Sequence, residues 1–253
     1  MRTLASFMPI FIAVPALTFA QGVEPDLEDD KWSFGIGVYL FAASIEGVTT
    51  IGPKDIETDV SFSELIDSVE GAYSVHFEAL SPSRIGIGVD YLYTKIGEEG
   101  IETPLPPVLI ENASLTNQTF ELFGYYHLGD VGAGAGSFDI IGGTRYRSME
   151  NNITLRIFER PLSGDFGASW WDLMAGGRWA RKVHPRVVLS ARADAGTDAF
   201  NFQGGAAFQI ARRFVIVAQY KYLNFNHKQE TDLAKFGYDA TEQGVLVGFG
   251  LHF

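Results

Sequence analysis

Apolar residues alternate with small or polar residues in ten separate segments of the chain. In one of them, Ile85, Ile87 and Val89 alternate with Gly86 and Gly88. A period of two is typical of a β-strand that has one apolar face, and helical spacing fits none of the segments well. The pattern therefore predicts an all-β chain. The predicted strands cover residues 32–41, 72–79, 85–93, 114–128, 138–149, 169–181, 186–196, 199–210, 213–225 and 241–253.

The segments that connect these strands differ in length in a regular way. Short turns are predicted at 81–84, 129–137, 182–185 and 211–212. Longer polar connections are predicted at 49–70, which includes a short helix at 61–66, and at 97–113, 151–168 and 226–240; the connection at 196–198 departs from the alternation because it is short. Long loops on one side and short turns on the other are typical of a transmembrane β-barrel with an even number of strands.

The direction of the apolar face decides between a membrane barrel and a soluble barrel, because only a membrane barrel turns that face outward. Aromatic residues favour the membrane barrel, since they form a band at each end of the apolar face. The band near the short turns contains Trp32, Tyr126 and Trp179, and the band near the long loops contains Tyr91, Tyr93, Tyr146, Trp171, Tyr220 and Tyr222. Rings of this kind occupy the two membrane interfaces of such barrels.

The opposite face of the predicted strands carries charges of both signs. Six carboxylates and five cations on one face are close to electrical balance and indicate a network that lines the interior. They are Glu78, Asp90, Glu121, Asp139, Asp172 and Asp194 with Arg145, Arg147, Arg178, Arg192 and Lys221. We therefore expect a closed antiparallel barrel of about ten strands with a polar, largely filled lumen. Eight or twelve strands, or a soluble ligand-binding barrel, are the alternatives.

The N-terminal residues predict export from the cytoplasm. Arg2 precedes an apolar stretch that ends at Ala20, and acidic residues follow. This order is typical of a secretory signal peptide, with an uncleaved membrane anchor as the alternative. The predicted organisation is a signal peptide at 1–20, an acidic periplasmic leader at 21–31 and the barrel at 32–253.

Composition narrows the range of functions. The 31 acidic and 19 basic residues give a formal net charge of -12, which argues against a nucleic-acid partner because phosphate neutralisation needs a basic surface. The chain has no cysteine, so disulfides and thiolate chemistry are excluded. No pair of histidines has the spacing of a metal site, and we expect neither a metal nor a cofactor.

The last strand ends on a pattern with a known counterpart. Its apolar residues alternate up to a C-terminal phenylalanine: Val245, Val247, Phe249, Leu251 and Phe253. This resembles the insertion signal of Gram-negative outer-membrane β-barrels, carried here by Phe249, Leu251 and Phe253, and segments such as 142–146, 171–178 and 220–223 resemble strands of small barrels of the OmpA, OmpX and OmpW type. The resemblance implies a bacterial outer-membrane location, contact with outer-membrane lipids and assembly by the barrel-insertion machinery.

The resemblance does not select one activity. We expect a monomer that has a structural or surface-interaction role, or that forms a narrow passage for small solutes, with a small solute or an extracellular ligand as a further partner. An outer-membrane hydrolase is the alternative, because His76 and Glu78 share one polar face and Asp90 lies on the next strand. Such a group suits acid–base chemistry, but it equally suits a network that rigidifies the barrel.

Overall fold

The computed structural model describes residues 31–51, 54–61, 68–102, 108–130, 136–157, 160–230 and 235–253. The predicted signal peptide, nearly all of the predicted leader and the predicted helix beyond Ser61 lie outside these residues. The described residues form β1 (Ser33–Ile51), β2 (Lys54–Val60), β3 (Val69–Leu80), β4 (Ile85–Glu102), β5 (Val108–Asp130), β6 (Ser137–Ile157), β7 (Arg160–His184), β8 (Val187–Gly196), β9 (Ala199–Ala211), β10 (Phe214–Glu230) and β11 (Lys235–His252).

Ten of these strands close into an antiparallel barrel. Each strand from β3 to β11 pairs with the next one in the chain, and β11 pairs with β1 from Gly35 opposite His252 to Ile51 opposite Phe236. The lower end of β1, residues 33–37 near the short turns, pairs with β3 and completes the circle. β2 folds back on the upper end of β1, residues 45–51 near the long loops. The prediction of ten strands is confirmed, and the alternatives of eight and twelve are wrong.

The strands are strongly inclined to the barrel axis. Following opposed residues once around the barrel leads from Ile45 to Ser33, which is 12 residues lower on β1. A shift of this size over ten strands corresponds to a tilt of about 40°. Ten strands at this tilt enclose a narrow interior that side chains can fill.

The apolar face of the sheet points outward. Leu122 and Leu173 are 38% and 69% exposed, whereas their chain neighbours Glu121 and Asp172 are 2% and 1% exposed. The outer surface is therefore apolar and the inner surface charged, the arrangement of a transmembrane barrel. The alternative of a soluble ligand-binding barrel is wrong, because that fold would bury the apolar face.

The long predicted connections contain more strand than expected. Residues 97–102 belong to β4, residues 108–113 to β5, and most of 151–168 to β6 and β7, while 49–60 contain the end of β1 and all of β2. These segments mix apolar residues such as Ile101, Leu109 and Ile153 with many acidic, proline and other polar residues, so their sequence pattern predicts connections. The short connection between β8 and β9 is confirmed. In the described part of the chain, no helix has the length and apolar character needed to cross a membrane.

Candidate functional site

Four charged side chains form a closed ring in the middle of the lumen. Arg145 donates from Nε to Glu121 at 2.7 Å and from Nη2 to Asp194 at 2.7 Å. Arg192 donates from Nη2 to Glu121 at 2.9 Å and from Nε to Asp194 at 2.8 Å. Each arginine thus holds both carboxylates. All four side chains are between 0% and 4% exposed, so the ring is shielded from water.

The ring is fixed to the barrel wall by a second set of polar groups. Asp172 accepts a contact from Arg145 at 3.4 Å and hydrogen bonds from the Thr197 hydroxyl at 2.7 Å and the Asp198 amide at 2.9 Å. Asn201 donates to Asp194 at 2.7 Å. The short β8–β9 hairpin therefore lies directly against the charge ring, because Asp172 connects its turn to Arg145.

A second network connects strands nearer the short turns. Arg178 donates to Asp139 at 2.6 Å and to Glu78 at 2.5 Å. His127 contacts Asp139 at 2.6 Å, and the Glu78 carboxylate contacts His76 at 3.0 Å. These contacts link four strands across the interior and place oppositely charged groups in direct contact, which buried charges require.

The second network continues to the first strand of the barrel. His76 contacts Asp90 at 2.9 Å through Nδ1, and the Tyr39 hydroxyl donates to Asp90 at 2.7 Å. Arg178 also lies over the Tyr125 ring, with 4.3 Å between the guanidinium carbon and the ring centroid. Tyr39 completes a continuous line of polar contacts from β5 to β1.

Apolar and aromatic side chains fill the space beside these networks. A cluster of Leu80, Phe123, Tyr125, Ile141 and Met174 packs along the inner surfaces of β3, β5, β6 and β7. The rings of Phe123 and Tyr125 lie where a Cβ atom on Gly88 and Gly86 would be. These two inward glycines are required because the aromatic rings take the space of their missing side chains.

A third group lies at the loop end of the lumen. Arg147 pairs with Glu242 and lies over the Phe225 ring, with 4.0 Å to the ring centroid. The Tyr238 hydroxyl donates to Glu242 at 3.4 Å. Glu242 is not among the predicted lumenal charges, although it has the same parity as Gly244 and Gly248 on the polar face of the last strand, and that parity was a usable signal.

The structure places all eleven predicted lumenal charges in the interior, where each residue is at most 9% exposed. Ten of them belong to the three groups described above. Lys221 is the exception: its ammonium group lies 5.6 Å from the Phe41 ring centroid, and no carboxylate of the described residues forms an ion pair with it. The predicted set therefore contains ten charges in direct contact with oppositely charged groups and one cation, Lys221, that forms no ion pair but acts on Glu121 through its charge.

The proposed catalytic group is assembled, but its geometry does not suit hydrolysis. Both ring nitrogens of His76 already contact carboxylates, Glu78 and Asp90, and Glu78 also pairs with Arg178. A general base needs a free ring nitrogen within reach of a nucleophile. This site instead has the features of a structural network. Among the described residues, no cluster of acidic and histidine side chains has the arrangement of a metal site.

The residues of the predicted insertion signal lie where β11 pairs with β1 and closes the barrel. Phe253 exchanges two main-chain hydrogen bonds with Phe34, at 2.8 and 3.0 Å, and their rings are 5.9 Å apart. Leu251 lies opposite Ile36 and Phe249 lies opposite Val38 on β1. The last strand therefore joins the first strand through these positions.

Neither a protein-family model nor a curated protein matches the sequence. Similar solved structures include the translocator domain of autotransporter NalP from Neisseria meningitidis, with 12% identity, 89% of this chain and 90% of that chain covered, and a TM-score of 0.49. The outer membrane protease OmpT from Escherichia coli has 9% identity, coverage of 90% and 99%, and a TM-score of 0.45. The attachment invasion locus protein Ail of Yersinia pestis has 11% identity, coverage of 88% and 97%, and a TM-score of 0.35.

Structural neighbours of the chain are thus bacterial outer-membrane β-barrels. The pairing of β11 with β1 and the outward apolar face establish the fold independently of those likenesses. The chain has the closed antiparallel fold of a small outer-membrane β-barrel.

Proposed function

We propose that the chain is a monomeric integral outer-membrane barrel with a closed lumen, which serves as a rigid scaffold for interactions at the cell surface. The observation that carries the proposal is the ring of Glu121, Arg145, Asp194 and Arg192. A passage for solutes at this level would have to separate these paired charges. The closed form is favoured because an unpaired buried charge is strongly destabilising.

The outer-membrane location is supported by the chemistry of the barrel wall. Large apolar side chains are exposed along its outside, and every strand of the closed wall has two neighbouring strands over part of its length. Lipid contacts of this kind stabilise such a wall. The alternation that ends at Phe253 supports delivery to the barrel-insertion machinery.

The surface role is supported by the height of the wall between β4 and β7. A strand of about 9–11 residues is enough to cross the bilayer. β5, β6 and β7 contain 23, 21 and 25 residues, whereas β8 contains 10. The taller strands therefore project beyond the membrane on the loop side, where an extracellular ligand or partner would meet them.

Fractionation and permeability test the two parts of the proposal. The mature chain should accompany outer-membrane markers, need detergent for extraction and show a heat-dependent mobility shift on an SDS gel. Liposomes that contain the refolded chain should retain a small sugar as well as empty liposomes do. A soluble periplasmic chain would contradict the location, and rapid sugar efflux would contradict the closed lumen.

A further inference from the structure

The wall of the barrel is incompletely hydrogen bonded between β1 and β3. These strands pair only from Ser33 opposite Leu80 to Gly37 opposite His76. Above this level β1 remains paired with β11, and β3 remains paired with β4. Among the described residues, main-chain pairing between β1 and β3 does not continue, and β1 pairs with β2 only from Ile45 upward. We call this part of the wall the β1–β3 seam.

The main chain of β1 points into the seam at every second residue. Phe34 exchanges both of its hydrogen bonds with Phe253 on the β11 side, so the even-numbered residues of β1 face β11 and the odd-numbered residues face β3. Tyr39 is the first odd residue above the paired region. Its main-chain amide and carbonyl both bond to the hydroxyl of Ser74, at 3.1 Å for the amide. A side chain thus replaces the strand-to-strand bonds at the base of the seam.

Inward residues that are exposed or only partly buried lie beside the β1–β3 seam. Glu78, His76 and Ser74 are buried inward residues of β3, but Ala72, the next position of the same parity, is exposed. Phe41 and Leu92 are inward residues that are only partly buried, and both pack against the cluster around Tyr39. The seam therefore leads to an apolar surface inside the wall.

The outer side of the seam faces the lipid. Tyr73, on the outer face of β3, is 54% exposed, and its ring lies 4.8 Å from that of Tyr93 in the aromatic band near the loops. Leu40 on β1 is 40% exposed on the same outer face. The seam consequently lies just below the loop-side interface, at the depth of the outer leaflet.

Lys221 is placed to recognise a negative charge at this site. Its ammonium group lies 5.6 Å from the ring centroid of Phe41 beside the seam, and Gly244, the residue opposite Lys221 on β11, has no side chain. Lys221 is 3% exposed and forms no ion pair with a carboxylate of the described residues, and its charge also acts on Glu121 of the charge ring. An ammonium group that forms no ion pair is a favourable site for an anionic group that reaches it.

We propose that the β1–β3 seam binds a single-chain amphiphile with an anionic headgroup. The headgroup pairs with the Lys221 ammonium, and the alkyl chain lies over Phe41 and Leu92 and leaves through the seam into the outer leaflet. Charge complementarity selects the headgroup, and the apolar lining selects the tail. This site opens sideways to lipid, so it does not require an open lumen and goes beyond the scaffold function.

A paramagnetic fatty acid tests this site directly. Because the chain has no cysteine, Ala72→Cys provides one position for a small fluorophore at the seam. The labelled chain, in phosphatidylcholine vesicles at alkaline pH, is titrated with stearate that carries a nitroxide near its headgroup, and separately with the methyl ester of the same molecule. The acid should quench the fluorophore at about a tenfold lower concentration than the ester, since a charged hydrogen bond is lost with the ester.

Variants of two lysines on β10 show whether Lys221 causes the preference for the acid over the ester. Lys221→Met should remove the difference between acid and ester, whereas Lys221→Arg should keep it because the charge remains. Lys228→Met is the matched control, since Lys228 is exposed on the same strand and the preference should persist. Each variant is first checked for the heat-dependent mobility shift. Equal quenching by acid and ester in the labelled chain, or a preference that survives Lys221→Met, would overturn the proposal.

Competition identifies the class of headgroup. Unlabelled stearate and a single-chain alkyl phosphate are each added to the quenched complex. Recovery of fluorescence with either compound supports the site and identifies carboxylate or phosphate as the preferred group, and recovery with neither contradicts it. The result is independent of the closed lumen, because retention of sugar in liposomes measures a different path.

Discussion

Arg145 and Arg192 hold the same two carboxylates in the centre of the lumen, Glu121 and Asp194, with all four contacts between 2.7 and 2.9 Å. The two guanidinium groups therefore share the negative charge of both carboxylates. The four residues come from β5, β6 and β8, which do not all adjoin one another. The ring thus connects the barrel wall across its interior and closes the lumen at the same level.

Removing one member of the ring should destabilise the whole barrel. Glu121→Gln preserves the volume of the side chain but leaves two buried arginines with one fewer carboxylate. We expect the free energy of unfolding to fall by about 3–5 kcal/mol. Denaturant unfolding in a fixed detergent measures the change. Glu150→Gln, an exposed residue on β6, is the control and should change stability by less than about 0.5 kcal/mol. Equal effects of both substitutions would contradict a structural role for the ring.

Substitutions at two glycines distinguish the effect of packing inside the lumen from the effect of alanine on a β-strand. A Cβ atom on Gly88 would overlap the Phe123 ring, whereas a Cβ atom on Gly142 would have no heavy atom within 4 Å. Gly88→Ala should lower the free energy of unfolding by about 1–3 kcal/mol because Phe123 must move. Gly142→Ala should not lower it. The same unfolding measurement compares them, and an undiminished stability of the Gly88→Ala barrel would show that Phe123 does not fill the space beside Gly88 tightly.

A charge on the outer face should destabilise the barrel, whereas the paired charges inside stabilise it. Leu122 follows the ring residue Glu121 but points outward. Leu122→Arg should destabilise the barrel in lipid by about 2–4 kcal/mol, as expected for a cation near the middle of the bilayer. Leu122→Met provides the apolar control. If Leu122→Arg instead improved solubility without detergent, the outward face would not contact lipid.

The C-terminal phenylalanine is predicted to act during assembly. Phe253→Ser should reduce the amount of folded chain in the outer membrane several-fold, because it removes the last apolar position of the predicted insertion signal. The purified variant should still refold in detergent, since the main-chain bonds between residues 253 and 34 remain available. Quantitative gels of unheated membranes measure this difference. Phe208→Ser, at another exposed aromatic residue, is the comparison, and an equal loss there would argue against a terminal signal.

Alternation predicted the barrel wall well for a physical reason. Lipid outside and a filled interior inside impose opposite demands on neighbouring residues, so the parity of Glu121, Arg145 and Asp194 identifies their direction without knowledge of register. Tight turns then determine which residues lie opposite one another in successive hairpins. His76 and Asp90, on the two strands joined by the short turn at 81–84, are such a pair.

Other features could not be predicted from this pattern. β2 pairs with the upper end of β1. Its residues do not separate lipid from a filled interior, so no boundary of that kind imposes an alternation of apolar and polar residues on it. The pairing of β1 with β3 is not determined by a tight turn, so the bond from Ser74 to Tyr39 had no signal in the sequence. The partner of Arg147 was also missed, because Glu242 lies 95 residues away and meets it only through closure of the barrel.

Single-channel conductance in a planar bilayer shows whether the lumen is closed, with the refolded chain that lacks the predicted signal peptide, residues 21–253. The intact barrel should insert without discrete current steps, and a barrel with Glu121→Ala, Arg145→Ala, Arg192→Ala and Asp194→Ala together should conduct, because the paired charges that close the lumen are gone. Insertion is verified in both cases by the heat-dependent mobility shift of recovered protein. Reproducible steps from the intact barrel would contradict a lumen closed by its ion pairs.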